Sequence, residues 1–340
     1  MANFWKKLKR PVSTRGGKST RGRPASPERK RGEPILILAP MANVTDAAFR
    51  GVIAKYGKPD VMWTEFVSAN GLASEAKDKL IIDLKFSKIE RPIVAQLFTG
   101  SPEKLAFATK LATKLGFDGI DLNIGCPDRG IEKSGAGASL IKNPKLAREL
   151  IRVMRASTDL PISVKTRLGY NTIDLNWIKE LLEEDLAALS IHLRTRKEMS
   201  DVPAHWELMP EIVKLRNQIN KNTLIIGNGD VATPKEGILK CKKYKCDGVM
   251  IGRGIFGNPW LFNKRKKNIS TEEKLKVLIE HTNLFEKYFK GIKNFAIMRK
   301  HFKAYVSGFN DAKELRIKLM EAENAGEVKR LINESLKNKV

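Results

Sequence analysis

Between Pro34 and Phe262 the chain repeats one pattern: an apolar run of four to six residues, then a stretch with helical periodicity. Parallel strands require this alternation, because a strand covered on both faces must be apolar throughout and its crossover helix on one side only. The runs read as eight strands, at Ile35 to Leu38, Val61 to Phe66, Ile93 to Leu97, Gly119 to Asn123, Ile162 to Thr166, Ala188 to His192, Leu224 to Gly227 and Gly248 to Ile251. Four of the helices between them have legible starts: Thr45-Asp46 before Ala47 to Tyr56, Ser101 before Lys104 to Leu115, Asn143 before Lys145 to Ala156, and Thr233 before Lys235 to Tyr244. Proline follows the last three of these capping residues, which suits the unpaired N–H groups of a first turn. Eight units in about 230 residues fit a closed (β/α)8 TIM barrel. An open doubly wound sheet is the alternative, although no GxGxxG follows the first strand.

After Phe262 the alternation stops, and Thr271 to Val340 reads as three or four helices without a strand. The expected class is therefore α/β, a TIM barrel followed by a small all-helical C-terminal domain. Its divisions are a basic segment 1–33, expected to be disordered, a catalytic barrel 34–262 and a helical domain 263–340. Leu275, Leu278, Ile279, Phe285 and Phe289 supply an apolar face to the last part. Lys287, Lys290, Lys293, Arg299, Lys300 and Lys303 alternate with Tyr288, Phe302 and Tyr305, a mixture that suits either a solvated face or RNA contact.

Charge is concentrated at the two ends. The formal net charge is +25; residues 1–33 hold 11 Lys/Arg against 2 Asp/Glu, and residues 262–340 hold 19 against 10. A polyanion lying across both ends is expected. Residues 6–33 are too poor in apolar side chains to offset the entropy of ordering. Gly17-Lys18-Ser19 resembles the end of a phosphate-binding loop, but the glycine that motif needs five residues earlier is Val12. The lack of acids before Glu28 also fits a transit peptide, though without an amphipathic helix; an RNA-touching tail and a neutral insertion both stay open. Three cysteines cannot build a disulfide framework. Cys241 and Cys246 have no His or further Cys nearby, so no metal site is expected. No apolar run reaches the roughly 20 residues of a membrane span, and a cytoplasmic compartment is expected.

The densest chemistry lies in Asp118 to Leu140, DGIDLNIGCPDRGIEKSGAGASL. A strand ends there at Asn123, and Pro127 keeps Cys126 out of regular structure. Asp121 and Asn123 are read as pointing to opposite sides of the strand. Locally, Cys126 suits either a small buried hydrophobe or a reagent in a loop. Barrels place their chemistry at the C-terminal strand ends. Here those ends carry Ala39-Pro40-Met41, Gln96, Asn123 to Cys126, Lys165 and Arg167, His192 and Arg194, Asn228-Gly229-Asp230, and Gly252-Arg253-Gly254. The last two sets are glycine-bearing turns after the seventh and eighth strands, where barrels bind phosphate, so a phosphorylated cofactor is expected. Lys165 suits a ring that gains negative charge on reduction; a salt bridge for Lys165 and a satisfied core position for His192 are the alternatives.

These residues stand in motifs, LAPMANVTDAAFR, QLFTGSPEKLA, DLNIGCPDRGIEKSGAGASL, VKTRLGY, HLRTR, GNGD and GVMIGRGIFGNPWLF, whose order resembles the tRNA-dihydrouridine synthase family. The likeness covers Ile35 to Phe262 and is weaker at Met298 to His301. It implies an FMN enzyme, reduced by NADPH or NADH, that reduces a uridine of tRNA. Cys126 stands at the family's proton-donating cysteine. Pro40, Met41, Ala42, Gln96, Lys165, His192, Asn228, Gly229, Asp230, Gly252 and Arg253 would hold FMN, and Asn123, Arg167 and Arg194 would contact the substrate. A monomer without membrane contact is expected. Two other functions remain: an RNA-binding protein that keeps the barrel without turnover, and an FMN reductase of a small-molecule pyrimidine. Two departures from the family pattern stand out. Leu193 follows His192 where small residues are common, and a basic stretch separates Phe4-Trp5 to Pro11 from Pro34.

Overall fold

The computed structural model describes residues 4–9, 32–266 and 268–337. The eight expected strands form: β1 (Ile35–Leu38), β2 (Met62–Ser68), β3 (Ile93–Phe98), β4 (Gly119–Asn123), β5 (Ile162–Arg167), β6 (Ala188–His192), β7 (Leu224–Asn228) and β8 (Gly248–Ile251). All pair in parallel in the order β1-β8-β7-β6-β5-β4-β3-β2. The sheet closes where Ile37 bridges Val61 and the Leu38 N–H donates to Val61 O at 3.2 Å. The result is a barrel rather than an open sheet.

Alternation along each strand divides the apolar side chains into two sets. Leu36, Leu38, Ile93, Ala95, Ile120, Leu122, Val164 and Leu189 face outward and join the helices in one cluster. Ile35, Ile37, Val61, Trp63, Val94, Leu224, Ile226 and Met250 face inward and form a second. Phe4 and Trp5, on the helix Phe4–Lys9, belong to that inner cluster, with Trp5 only 2% exposed and its ring 5.8 Å from Trp63. The expectation of disorder across 1–33 is therefore corrected at its start: two large aromatics close the foot of the barrel, and their burial offsets the entropy of ordering six residues. Residues 10–31, with the expected tail, lie outside the described residues.

The four legible helix starts are all capped as expected. Asp46 accepts from the Phe49 N–H, Ser101 from Lys104, Asn143 from Leu146 and Thr233 from Glu236. Pro102, Pro144 and Pro234 occupy the first turn of their helices.

The C-terminal helices, Thr271–Phe289, Arg299–Tyr305, Ala312–Glu321 and Ala325–Lys337, pack on one another, and the first of them lies against the helix Ala47–Tyr56. Leu275, Leu278, Phe285 and Phe289 are buried as expected. Phe302 and Tyr305 are fully buried too, so they are core side chains and not an RNA-stacking surface. Phe49 stacks on His281 at 4.9 Å and meets His301 at 4.8 Å. Among the described residues, no helix is long and apolar enough to cross a membrane.

One lysine ties the helical region to the barrel rim. Lys293 Nζ lies 3.1 Å from Glu65 Oε2 and 2.6 Å from Asp83 Oδ1. Glu65 in turn accepts the backbone N–H of Asn43, a left-handed residue (φ 53°) in the loop after β1. Lys293→Met leaves two largely buried carboxylates without their cation, so urea unfolding should show a loss of about 3 kcal/mol or more. Adding Glu65→Gln should restore part of it; an undiminished midpoint in Lys293→Met contradicts this coupling.

Candidate active site

The C-terminal strand ends surround a cavity of about 660 Å³. Ala39, Pro40 and Met41 form one wall; Lys165, His192 and Arg194 form another; Asn228 to Asp230 and Gly252 to Gly254 complete it. A second cavity, of about 550 Å³, lies at the opposite end around Trp5, Leu160 and Leu224. It carries none of the strand-end polar residues.

The turns after β7 and β8 need their glycines. Gly229 has φ 124°, and a Cβ there would lie 2.8 Å from Ala204 Cβ. A Cβ on Gly254 would lie 2.4 Å from the backbone oxygen of Ala232. Among the described residues, no turn or loop carbonyl accepts the N–H of Gly229. Lys165, Arg194 and Arg253 bring positive charge to the cavity. The two acids lining it are already engaged: Asp230 accepts from Arg194 at 2.5 Å and the Ala204 N–H at 2.8 Å, and Glu236 accepts from the Ala232 N–H at 2.9 Å. Burial pushes Asp230 up, but those bonds outweigh it and hold the carboxyl below its ordinary value. Glycine turns and three cations against two acids give this end a chemistry that suits an anion.

His192 is neutral. Burial, then Lys165 and three arginines, lower it to about 2. Arg194 Nη1 is 3.2 Å from its Nε2. An arginine only donates, so Nε2 is the acceptor and the ring proton sits on Nδ1. Leu193 beside it is fully buried in the outer cluster, so its size leaves the cavity unaffected.

Beneath the cavity runs a directed chain of buried hydrogen bonds. Asn123 Oδ1 accepts the N–H groups of Gly125 (3.1 Å) and Cys126 (3.0 Å), which fixes the side-chain amide. Its Nδ2 donates to Gln96 Oε1 at 3.2 Å, and Gln96 Nε2 donates to Asp121 Oδ2 at 2.7 Å. Ser163 Oγ donates to the other Asp121 oxygen at 2.5 Å. Asp121 and Asn123 thus share the inner face, which corrects the reading that opposed them: residues two apart on a strand point the same way. Burial raises Asp121 to about 6, with the bonds from Ser163 and Gln96 opposing, so it is ionised at neutral pH. Burial and the neighbouring Arg167 lower Lys165 to about 8, against the pull of Asp121. Among the described residues Lys165 Nζ has no hydrogen-bond or ion-pair partner, so the salt-bridge alternative does not hold.

Cys126 stands half-buried just past the end of β4, and β4 pairs Asn123 with Lys165 of β5. Burial pushes its thiol up from the ordinary value, while a backbone hydrogen bond at Asp128, Lys165 and Arg167 pull the other way. At neutral pH it is a protonated thiol. Arg167 is tied to carbonyls, by Nε to Gly125 O at 2.9 Å and by Nη1 to Thr195 O at 3.0 Å and Met199 O at 3.1 Å.

The strand-end residues therefore sort into layers. Pro40, Met41, Lys165, His192, Arg194, Asn228, Gly229, Asp230, Gly252 and Arg253 line the cavity. Gln96 and Asn123 lie under it, and Ala42 is exposed outside it. Arg194, expected to contact the substrate along with Asn123 and Arg167, lines the cavity and bonds Asp230. Sequence reasoning missed Asp121 and Ser163 as polar interior residues; their spacing on inward-facing strand positions was the available signal. It also missed the pair Glu132 and Arg196, which no local pattern announces.

Fold and site together describe a (β/α)8 barrel with a polar cavity at its strand ends and a protonated thiol at the adjoining strand end. The chain belongs to the dihydrouridine synthase family: the model described as "Dihydrouridine synthase (Dus)" matches residues 37–340. A "Probable tRNA-dihydrouridine synthase" of Staphylococcus aureus (strain COL) is 45% identical over 305 residues, covering 88% of this chain and 93% of that protein. A "Probable tRNA-dihydrouridine synthase 2" of Bacillus subtilis (strain 168) is 42% identical over 310 residues, covering 90% and 95%. Solved structures share the fold at low identity. Histamine dehydrogenase from Rhizobium sp. 4-9 superposes with a TM-score of 0.51 at 15% identity, over 73% of this chain and 48% of that one. A 2-naphthoyl-CoA reductase gives 0.52 at 11%, over 67% and 49%. This chain spans about half the length of each.

The raised thiol sets an expectation for reactivity. Iodoacetamide should alkylate Cys126 more slowly at pH 7 than it does a free cysteine, and the rate should have its midpoint above the roughly 8.5 of an ordinary thiol. A midpoint below that value, read by mass spectrometry of the Cys126 peptide, contradicts a protonated resting thiol.

Proposed function

We propose that this enzyme reduces a uridine of tRNA to dihydrouridine, with FMN as its cofactor and NADPH or NADH as reductant. The observation that carries the reading is the protonated Cys126 thiol set next to the Lys165 end of a cationic cavity. A cavity of about 660 Å³ is in the size range of cofactor sites. Its glycine turns and Arg253 suit the phosphate of FMN, with Asn228, Gly229, Asp230 and Gly252 around it. Pro40 and Met41 offer an apolar wall to a flat ring, and Lys165 and His192 offer a cation and a neutral donor to its polar edge. Gln96, beneath the cavity, and Ala42, next to Met41, complete the proposed FMN set. A reduced flavin bound there would bring hydride chemistry for the C5–C6 double bond of uracil.

The chain's own residues do the remaining work. Cys126 gives its proton to C5, which a thiol can do while still protonated at neutral pH. Asn123 and Arg167 present the uracil from the same strand ends, and Arg194 holds Asp230 at the anion end. The target base must leave the tRNA stack to enter. Basic charge at both ends of the chain supports a tRNA substrate, held by the helical region 263–340 and the barrel rim. The same proposal has the protein act as a monomer, and a tRNA substrate supports the cytoplasm.

Cys126→Ala should keep FMN binding and flavin bleaching by NADPH, both followed by absorbance. Dihydrouridine formation should fall by on the order of 100-fold or more, the usual worth of a positioned acid. Unchanged product formation in this variant contradicts the role given to Cys126.

A further inference from the structure

The segment that carries Cys126 leaves β4 without regular structure, and two arginines from different strand ends hold it. Arg167 takes the carbonyl of Gly125, on one side of Cys126. Arg196, in the loop after β6, reaches the carbonyl of Pro127 on the other side, through Nη2 at 3.4 Å. Arg196 is itself anchored by Glu132, on the short helix Arg129–Lys133 that follows the cysteine. Its Nε lies 3.1 Å and 3.0 Å from the two Glu132 oxygens, and Nη2 also donates to Oε2. The Arg196 guanidinium further rests 5.6 Å from the Tyr170 ring centre. Glu132 is 11% exposed. Burial alone would raise its carboxyl, but the bonds from Arg196 and Tyr170 hold it below its ordinary value, so the pair stays charged at neutral pH.

An exposed ion pair contributes little, but a bidentate one that is largely shielded constrains geometry. This pair spans the loops after β4 and β6 and shares its arginine with the residue next to Cys126. The close approach of Gly137 completes the grip: a Cβ there would lie 2.7 Å from the carbonyl oxygen of Cys126. We propose that Glu132 and Arg196 are positioning residues that clamp the Cys126 loop and set where the thiol stands relative to the cavity. The clamp itself is independent of the reaction; its consequence for catalysis rests on the function proposed above.

Two variants with opposite charge effects test it. Glu132→Gln removes a negative charge near the thiol and Arg196→Met removes a positive one, so a purely electrostatic influence moves thiol reactivity in opposite directions. Loosening moves both the same way. Alkylation of Cys126 by iodoacetamide at fixed pH should accelerate about tenfold in both variants. The buried Cys241 and Cys246 serve as internal references and should stay slow. Opposite shifts, no shift, or equal acceleration of all three cysteines overturns the clamp. With tRNA, Glu132→Gln should form dihydrouridine on the order of 10-fold to 100-fold more slowly at saturating tRNA, with flavin reduction by NADPH unchanged. A carboxylate does not bind phosphate, so the KM for tRNA should not rise; a higher KM with unchanged kcat contradicts positioning. Absence of product from the unsubstituted enzyme refutes the proposed function, while the alkylation result still decides the clamp.

Discussion

A buried carboxylate, Asp121 on β4, and a half-buried ammonium lining the cavity, Lys165 on β5, set the terms for the site around them. Neither charge belongs in an apolar interior, and each is kept by what surrounds it. Asp121 is held by Ser163 and Gln96, and Lys165 by the field of Asp121 and an opening into the cavity. Among the described residues Lys165 Nζ makes no ion pair, so Asp121 depends on those neutral donors rather than on a bonded cation. The same chain of bonds passes through Gln96 and Asn123 to the backbone N–H of Cys126. The buried charge therefore also orients the segment that carries the thiol.

The lower half of the barrel makes this polar layer affordable. Trp5, Trp63 and the inward-facing Ile and Val side chains fill the foot, leaving the polar groups gathered towards the open end. At the rim, loops after different strands tie one another down: Arg194 to Asp230, Arg196 to Glu132, Arg167 to the carbonyls of Gly125, Thr195 and Met199. Lys293 extends the ties to the helical region through Glu65 and the loop after β1. Chemistry that needs a proton donor placed near a bound ring depends on this kind of mutual restraint.

What could be read from the amino acids follows from which forces are local. Strand positions and helix caps were legible, because burial on both faces and the pairing of first-turn N–H groups leave short-range marks; Ile35–Leu38 and Gly119–Asn123 emerge with the expected bounds. The strand-end residues followed from barrel geometry. Contacts between residues far apart in the chain left no mark. Glu132 and Arg196 are 64 positions apart, and Lys293 and Glu65 are 228 apart. Phe302 and Tyr305 looked available for stacking because only packing against the barrel decides which face of their helix is covered. Phe4 and Trp5 were lost in a basic segment whose mean composition hid two large aromatics.

The reaction itself is tested most directly by dihydrouridine mapping on tRNA that lacks the modification, after incubation with the purified protein, FMN and NADPH. Dihydrouridine should appear at a defined uridine, dependent on all three components. Protein that binds FMN and oxidises NADPH yet leaves every uridine of the tRNA unreduced would contradict it.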